Sequence, residues 1–389
     1  MEKIFNNTQV AFSLKTDTEL DRAYFLFKLI ANEPLVRIGT AVTNFAIKAH
    51  LPVEGLIRAT VFDHFCGGIN EADCLPVVDK MFTKGVSSVL DYSVEGKEEE
   101  AQFDAALEMT LKTIDFAEEK KSIPFAVFKP TGFGRFELYE RLGKKIPFTT
   151  EEQAEWNRVV LRFDKVCKTA HQKNVALLID GEESWMQDAA DDLVADMMRK
   201  YNKEKAIVFN TLQMYRWDRL DYLKKLHEQA KVEGFYIGMK LVRGAYMEKE
   251  INRAAENGYK SPICATKEAT DENYDASIHY MIENLDNMSV FAGTHNEESS
   301  YKLMELMQKN NISKNDDRIW FGQLYGMSDN ISYNLAENGY NVAKYLPFGP
   351  VRDVMPYLIR RAEENTSVAG QTNRELTLIK TERDRRKGK

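Results

Sequence analysis

The sequence predicts an α/β protein built as one (β/α)8 TIM-type barrel, and three observations carry that reading. Eight short runs rich in apolar and β-branched residues recur after Gly85: VSSVLDY, PFAVFK, VALLID, AIVFNT, IGMKLV, MSVFAG, RIWFGQ and VAKYLPF. Long amphipathic stretches separate them, the alternation that gives a parallel sheet covered by helices. Within each run the apolar character is nearly continuous, as strands buried on both faces require. With 389 residues the chain has room for such a barrel and extensions.

Taken in order, the stretch before Gly85 is helical. TDTELDRAYFLFKLI, PLVRIGTAVTNFAIKA, PVEGLIRATVFDHF and NEADCLPVVDKMFTK are periodic and separated by Pro, Gly and Asn. Asn70 followed by Asp73 marks the start of the last of these, in the manner of a capping pair. Residues 1–85 therefore read as an N-terminal helical arm, 86–370 as the barrel and 371–389 as a basic C-terminal tail. That tail ends in RDRRKGK, a solvated terminus or a contact for anionic lipid. Among the barrel helices, TTEEQAEWNRVVLRFDKVCKTA opens on a capping box of Thr149 and Glu152. The segments from Gly132 to Phe148 and from Gly258 to Thr270 exceed ordinary connections and are expected to be functional insertions over the barrel mouth.

Composition narrows the function. A net charge of -7 and the lack of a basic stripe interleaved with aromatics argue against nucleic acid as a partner. Cys66, Cys74, Cys167 and Cys264 show no CxxC spacing, and there is no leader and no apolar run near membrane-spanning length. A soluble, reduced, intracellular protein is expected. The six histidines lack HExxH or another ligand spacing, so no metal is expected. TGFGR holds only half of GxGxxG, and GxxxxGK[ST] and GxSxG are missing, which disfavours a Rossmann domain, a P-loop and a serine nucleophile.

Barrel enzymes place their chemistry on loops after the C-terminal ends of the strands. Here polar residues follow each run in turn: Asp91, Lys129, Asp180, Gln213, Lys240 with Arg243, Thr294 with His295 and Asn296, Gln323, and Tyr345. One alone would be an ordinary loop residue, but a set in register is not explained that way. Lys129 in AVFKPTG and Asp180 in LLIDGEE sit in apolar surroundings, where an unpaired buried charge would cost several kcal/mol, roughly. In KLVRGAY, Arg243, Gly244 and Ala245 make a strand-to-helix turn, either a tight turn needing Gly or an anion-binding approach at a helix N-terminus.

Near the C-terminus, Tyr357, Arg360, Arg361 and Glu364 fall at i, i+3, i+4 and i+7, on one side of a helix. Spacing alone leaves two readings open, a solvated face with a Glu partner and a pair of guanidinium forks facing a carboxylate or phosphate. With Lys129, the two arginines would overcompensate any single acid, which points to an anionic ligand.

LLIDGEE, FNTLQMY, KLVRGAY, GTHN, FGQLYGMSDNISYNLAENGY and KYLPFGPVRDVMPYLIRRAEEN together resemble proline dehydrogenase, in chain order from FDHFCGG to RAEEN and closer to the stand-alone enzymes than to the large bifunctional ones. The resemblance implies a distorted (β/α)8 barrel with its last helix over the mouth, FAD held non-covalently, and oxidation of L-proline to 1-pyrroline-5-carboxylate, the first step of proline catabolism to glutamate. It implies a membrane quinone as electron acceptor, and a cytoplasmic protein with peripheral contact at the inner face of the membrane. By resemblance, Arg360, Arg361 and Lys129 clamp the proline carboxylate, Tyr345 and Leu324 wall the ring, and Asp180 and Lys240 are catalytic residues near the flavin. Gly181, Gln213, Arg243, Gly244, Ala245, Thr294, His295 and Asn296 match its FAD contacts. Asp91 and Glu95 match an acidic strand-end loop, with Glu95 reaching an arginine of the last helix as a gate to which Glu364 is also assigned. Lys240 stands where many bacterial members carry Arg, and Met247 replaces an aromatic found in some members.

Three rivals share part of this pattern. A hydroxyproline dehydrogenase needs room for a ring hydroxyl, which Tyr345 does not leave. A barrel flavoprotein with a nicotinamide donor, such as a folate reductase, leaves the converging cations unexplained. A non-catalytic amino-acid-binding barrel would have no reason to keep both Asp180 and the RGAY turn.

Overall fold

The computed structural model describes residues 3–48, 54–93, 98–367 and 369–388. Eight strands form a closed barrel in chain order. They are β1 Val86–Tyr92, β2 Phe125–Phe128, β3 Ala176–Ile179, β4 Val208–Gln213, β5 Ile237–Val242, β6 Met288–Gly293, β7 Ile319–Leu324 and β8 Val342–Phe348. Each falls on one of the apolar runs, and helices fill the stretches between, so the fold is the expected α/β barrel. The chain divides into two compact units, Met1–Glu95 with Gly322–Lys389, and Gly96–Phe321.

In the unit Gly96–Phe321, register places the polar strand ends. Phe128 pairs with Ile179, so the next residues, Lys129 and Asp180, lie side by side. Leu178 pairs with Phe209, which brings Asp180 level with Thr211 two residues on, and Thr211 pairs with Lys240. Three charged residues from three strands therefore occupy one layer. Farther down, the Phe125 ring meets Phe209, Phe291 and Trp320 edge-on at 5.1 to 6.0 Å, the T-shaped geometry aromatic quadrupoles favour. The segment 132–148 carries the helix Phe136–Gly143, anchored at its start by Arg135 on Glu155 at 2.6 Å. The segment 258–270 runs into the helix Lys267–Glu283, whose N-cap Thr266 accepts from Ala269 N–H. The Thr149 capping box opens the helix Thr150–Lys173, with Oγ1 accepting from Glu152 N–H at 3.2 Å and Glu152 returning the bond at 2.8 Å.

In the other unit, β1 and β8 pair in parallel from Val86 with Val342 to Tyr92 with Phe348. The helix Glu71–Phe82 starts where expected, with Asn70 Oδ1 accepting from Asp73 N–H at 2.9 Å. Residues 371–389, read from sequence as a tail, differ: most of the stretch belongs to the helix Ala369–Arg386. Leu378 and Ile379 pack against Phe12, Leu20, Ala23 and Phe27, and burial of two such side chains stabilises by about 1.5–3 kcal/mol each. Its basic residues are paired within the unit, Arg383 with Asp21 at 2.6 Å and Arg386 with Asp17 at 2.8 Å. The buried Glu382 accepts from Thr8 Oγ1, Arg385 and Arg386. A short apolar stripe flanked by arginines reads as solvated in sequence because its partners lie at the opposite end of the chain.

Candidate active site

Asp180 is the centre of the charged layer in the unit Gly96–Phe321. Its Oδ2 lies 3.2 Å from Lys129 Nζ, and its Oδ1 accepts from Lys240 Nζ. Burial by itself would push this carboxyl up; the Lys240 and Lys129 ammoniums outweigh it and hold the group below its ordinary range. Asp180 is therefore anionic at neutral pH and fixes both lysines. The structure brings together these three predicted residues, two catalytic and one substrate-binding.

Motifs that are distant in sequence meet at Glu182, which sequence reasoning did not single out. This buried carboxylate accepts from Thr131 Oγ1 at 2.9 Å and from Tyr246 O–H at 2.8 Å, joining AVFKPTG, LLIDGEE and KLVRGAY. Its backbone carbonyl accepts from Gln213 Nε2 at 2.5 Å. The available signal was the run of two acids directly after Asp180–Gly181, one more than a strand-end loop needs.

The predicted flavin contacts form a second group. Arg243 donates to Asp271 at 2.6 Å, to Thr294 Oγ1 at 2.7 Å and to Ser299 Oγ at 3.0 Å, with its guanidinium 4.5 Å from the Tyr274 ring centre. Thr294 and Arg243 are thus brought together. Asp271 and Ser299, which hold the arginine, were missed because no spacing links them to it. Asn296 caps the helix Glu297–Lys309, accepting from Glu298 and Ser299 N–H, and the half-buried His295 precedes it. Gly244 has φ +131, and a Cβ there would fall 2.6 Å from the Tyr215 ring, so only glycine fits this turn. Ala245 follows, exposed, just before the helix Met247–Asn257.

Two positions test whether these residues suit a flavin. A Cβ on Gly181 would fall 2.7 Å from Gln213 Nε2, so the backbone runs against the Gln213 side chain with no space for a larger residue. Gln213 Oε1 is buried without a hydrogen-bond donor, an arrangement that costs about 1–3 kcal/mol unless a ligand N–H meets it. A planar ring bearing an N–H meets that requirement, and cations at Lys240 and Arg243 suit an electron-accepting or phosphate-bearing group.

The remaining predicted residues lie in the other unit. Arg361 is buried, with its guanidinium 5.1 Å from the Tyr357 ring centre, one turn back on the helix Met355–Ser367, and Arg360 beside it is half-buried. The predicted common side of Tyr357 and Arg361 is thus realised. Tyr345 is buried in β8, and its carbonyl accepts from Tyr325 N–H at 2.8 Å. Leu324 packs on a core containing Met327, Val354, Tyr357 and Leu358. Asp91 is buried at the end of β1 and accepts from Ser93 Oγ at 2.6 Å. Glu95 lies outside the described residues, as does the side chain of Glu364.

The family model for proline dehydrogenase matches residues 74–374. The carbapenem antibiotics biosynthesis protein CarD of Pectobacterium carotovorum subsp. carotovorum is 35% identical over 362 residues, 92% of this chain and 94% of that protein. Proline dehydrogenase 1, mitochondrial, of Homo sapiens is 42% identical over 235 residues, which are 60% of this chain and 39% of the human one. Among solved structures, proline utilization A from Bdellovibrio bacteriovorus, inactivated by N-propargylglycine, superposes with a TM-score of 0.72 at 21% identity. That match covers 92% of this chain and 38% of the other, a likeness of fold.

Proposed function

The chain belongs to the proline dehydrogenase family, and on that premise we propose that it oxidises L-proline to 1-pyrroline-5-carboxylate, with non-covalently held FAD as hydride acceptor and a quinone as the final acceptor. The observation that most supports this reading is the Lys129–Asp180–Lys240 triad at the ends of β2, β3 and β5, inside the stretch matched by the family.

Oxidising an amine carbon removes a hydride from C5 of the ring and a proton from nitrogen, leaving a C=N bond. Bound FAD would supply the hydride acceptor, held through Gly181, Gln213, Arg243, Gly244, Ala245, Thr294, His295 and Asn296. The protein's part is orientation. Arg360 and Arg361 hold the substrate carboxylate by bidentate bonds, with Lys129 as a third cation. Tyr345 and Leu324 wall the ring, and the close tyrosine disfavours a ring hydroxyl. Asp180 fixes Lys240, whose charge favours negative charge arriving nearby. Asp91, Glu95 and Glu364 are assigned to a gate against the arginines.

The two curated relatives carry names of different destinations, an antibiotic pathway and a mitochondrial dehydrogenase. For location we propose a cytoplasmic protein in peripheral contact with a membrane, as a membrane quinone requires. Among the described residues no helix is long and apolar enough to cross one. Pairing of Arg383 and Arg386 with Asp21 and Asp17 argues against the C-terminal helix as the lipid contact.

The purified protein is expected to show a flavin absorption spectrum that anaerobic L-proline bleaches. A colourless protein, or a spectrum proline leaves unchanged, overturns the reading. Arg361→Met is expected to weaken apparent proline affinity by about 10- to 100-fold, the loss of about 1.5–3 kcal/mol from charged hydrogen bonds. Unchanged affinity in steady-state kinetics would remove the carboxylate clamp.

A further inference from the structure

The turn from Leu324 to Asp329 joins β7 to the helix Asp329–Glu337, and each residue after Leu324 is held by a different group. Tyr325 N–H donates to the Tyr345 carbonyl at 2.8 Å. The Gly326 carbonyl accepts from His64 Nε2 at 3.0 Å; burial and the nearby Lys15 push this imidazole down to about 3, so it is neutral and donates. Gly326 has φ +78, and a Cβ would fall 2.3 Å from the His64 carbonyl oxygen. Lys344 Nζ, completely buried, donates to the Met327 carbonyl at 2.6 Å and lies 2.7 Å from Asp329 Oδ1. Ser328, at φ +50, donates its N–H to Glu375 Oε1 at 2.5 Å. Asp329 Oδ2 lies 3.2 Å from Lys15 Nζ.

Surface turns ordinarily form without buried charges, and burying ionisable groups such as Lys344, Asp329 and Glu375 is unfavourable unless each is matched. Here Lys15, Lys344, Asp329 and Glu375 converge on a turn of six residues, and three of them come from elsewhere in the chain. Lys344 directly precedes Tyr345, and its Nζ also lies 3.4 Å from the Leu324 carbonyl. Asp329 already has Lys344 as partner, so the additional reach from Lys15 constrains the turn beyond what neutralising one carboxylate needs. Lys15 and Glu375 both lie outside the stretch matched by the family, 74–374.

We propose that Lys15 and Glu375 are positioning residues for substrate recognition: acting through Asp329 and Ser328, they fix the turn that sets Leu324 relative to Tyr345, the wall of the substrate ring. This rests on the proline-oxidising reading above. Neither residue touches substrate, and the two chain segments that carry them are tuners of ring recognition.

The test is steady-state oxidation of L-proline and trans-4-hydroxy-L-proline by the flavin-loaded full chain and its Lys15→Met, Lys15→Arg and Glu375→Leu variants. Calorimetric binding of tetrahydrofuran-2-carboxylate, which keeps the ring and carboxylate but lacks the amine, runs beside it. Lys15→Met is expected to raise KM for proline and Kd for the ring analogue together by about 5-fold, to leave kcat within about 2-fold, and to narrow the preference for proline over hydroxyproline. Lys15→Arg restores all three. A lowered Tm with unchanged KM and Kd overturns the proposal, since a purely structural anchor would give that result. Should Lys15→Met fail to fold, Glu375→Leu decides: it removes the acceptor for Ser328 N–H, so KM and Kd are expected to rise as in Lys15→Met, and unchanged constants there overturn the proposal equally. If wild-type protein is not reduced by proline, the reading of function fails, while the calorimetric comparison still tests whether these residues govern ring binding.

Discussion

Asp180 lies between Lys129 and Lys240, and Asp329 lies between Lys15 and Lys344, so the protein contains the same three-residue arrangement twice. Their settings differ. Lys344 keeps none of its side-chain surface exposed, whereas Lys129 and Asp180 keep 15% each; Lys15, the other lysine of the second arrangement, keeps 23%. The first triad is drawn from β2, β3 and β5, with β4 between the last two. The second gathers the first residue of the helix Asp329–Glu337, a strand and an N-terminal segment, with Glu375 of the C-terminal helix bonded to the residue before its aspartate. A charged layer toward the ends of barrel strands can answer to a ligand; the fully buried Lys344, bonded to the Met327 carbonyl and to Asp329, holds its neighbours in place.

Three substitutions would break or sharpen that contrast. Lys344→Met removes a fully buried cation and its bonds to the turn, and is expected to cost about 3–5 kcal/mol in urea unfolding. A cost below about 1 kcal/mol would show that Lys344 does not hold the turn.

Glu375→Gln should act through pH. Burial, then Asp329, pushes this carboxyl up to about 7 from an ordinary 4.5. A raised carboxyl contributes stability that is complete below its unfolded value and lost as pH rises through its folded one. Relative to wild type, the glutamine variant should therefore gain about 2 kcal/mol between about pH 5 and about pH 8. A loss over the same window would mean that Glu375 is held as an anion like Asp180. Asp329, whose carboxyl the lysines hold low despite burial, works with the opposite sign, and its contribution is lost on acidification.

The smallest effect on folding is expected from Asp180→Asn, about 1–2 kcal/mol, because the amide keeps an oxygen that can accept from one of the two lysines. Flavin reduction by proline should nonetheless slow by more than about 10-fold in stopped-flow measurements. A stability loss as large as that of Lys344→Met would erase the distinction between the triads.

The contrast also explains what could be read from the sequence. The eight strands were legible because parallel strands under helices leave unbroken apolar runs, and Lys129, Asp180 and Lys240 because barrel strands end in a common layer. Thr149 and Asn70 announced helix starts through interactions only three residues long. Lys15 and Glu375 carried no comparable signal. Lys15 lies 314 residues from Asp329 and Glu375 lies 47 from Ser328, beyond any local spacing, and neither interrupts an apolar run. Leu378 and Ile379 were too few to mark the helix Ala369–Arg386, whose docking depends as much on arginine pairs as on periodicity.

That helix bears on how the protein is made. Thr8 and Glu382, which bond to each other, are 374 residues apart. At a synthesis rate of about 5–20 residues per second, roughly 20–75 s separate their emergence from the ribosome. Throughout that interval Phe12, Leu20 and Phe27 lack the Leu378 and Ile379 that cover them in the finished protein. The N-terminal segment is thus translated first and completed late, and chaperone demand in the cell should fall chiefly on that waiting surface.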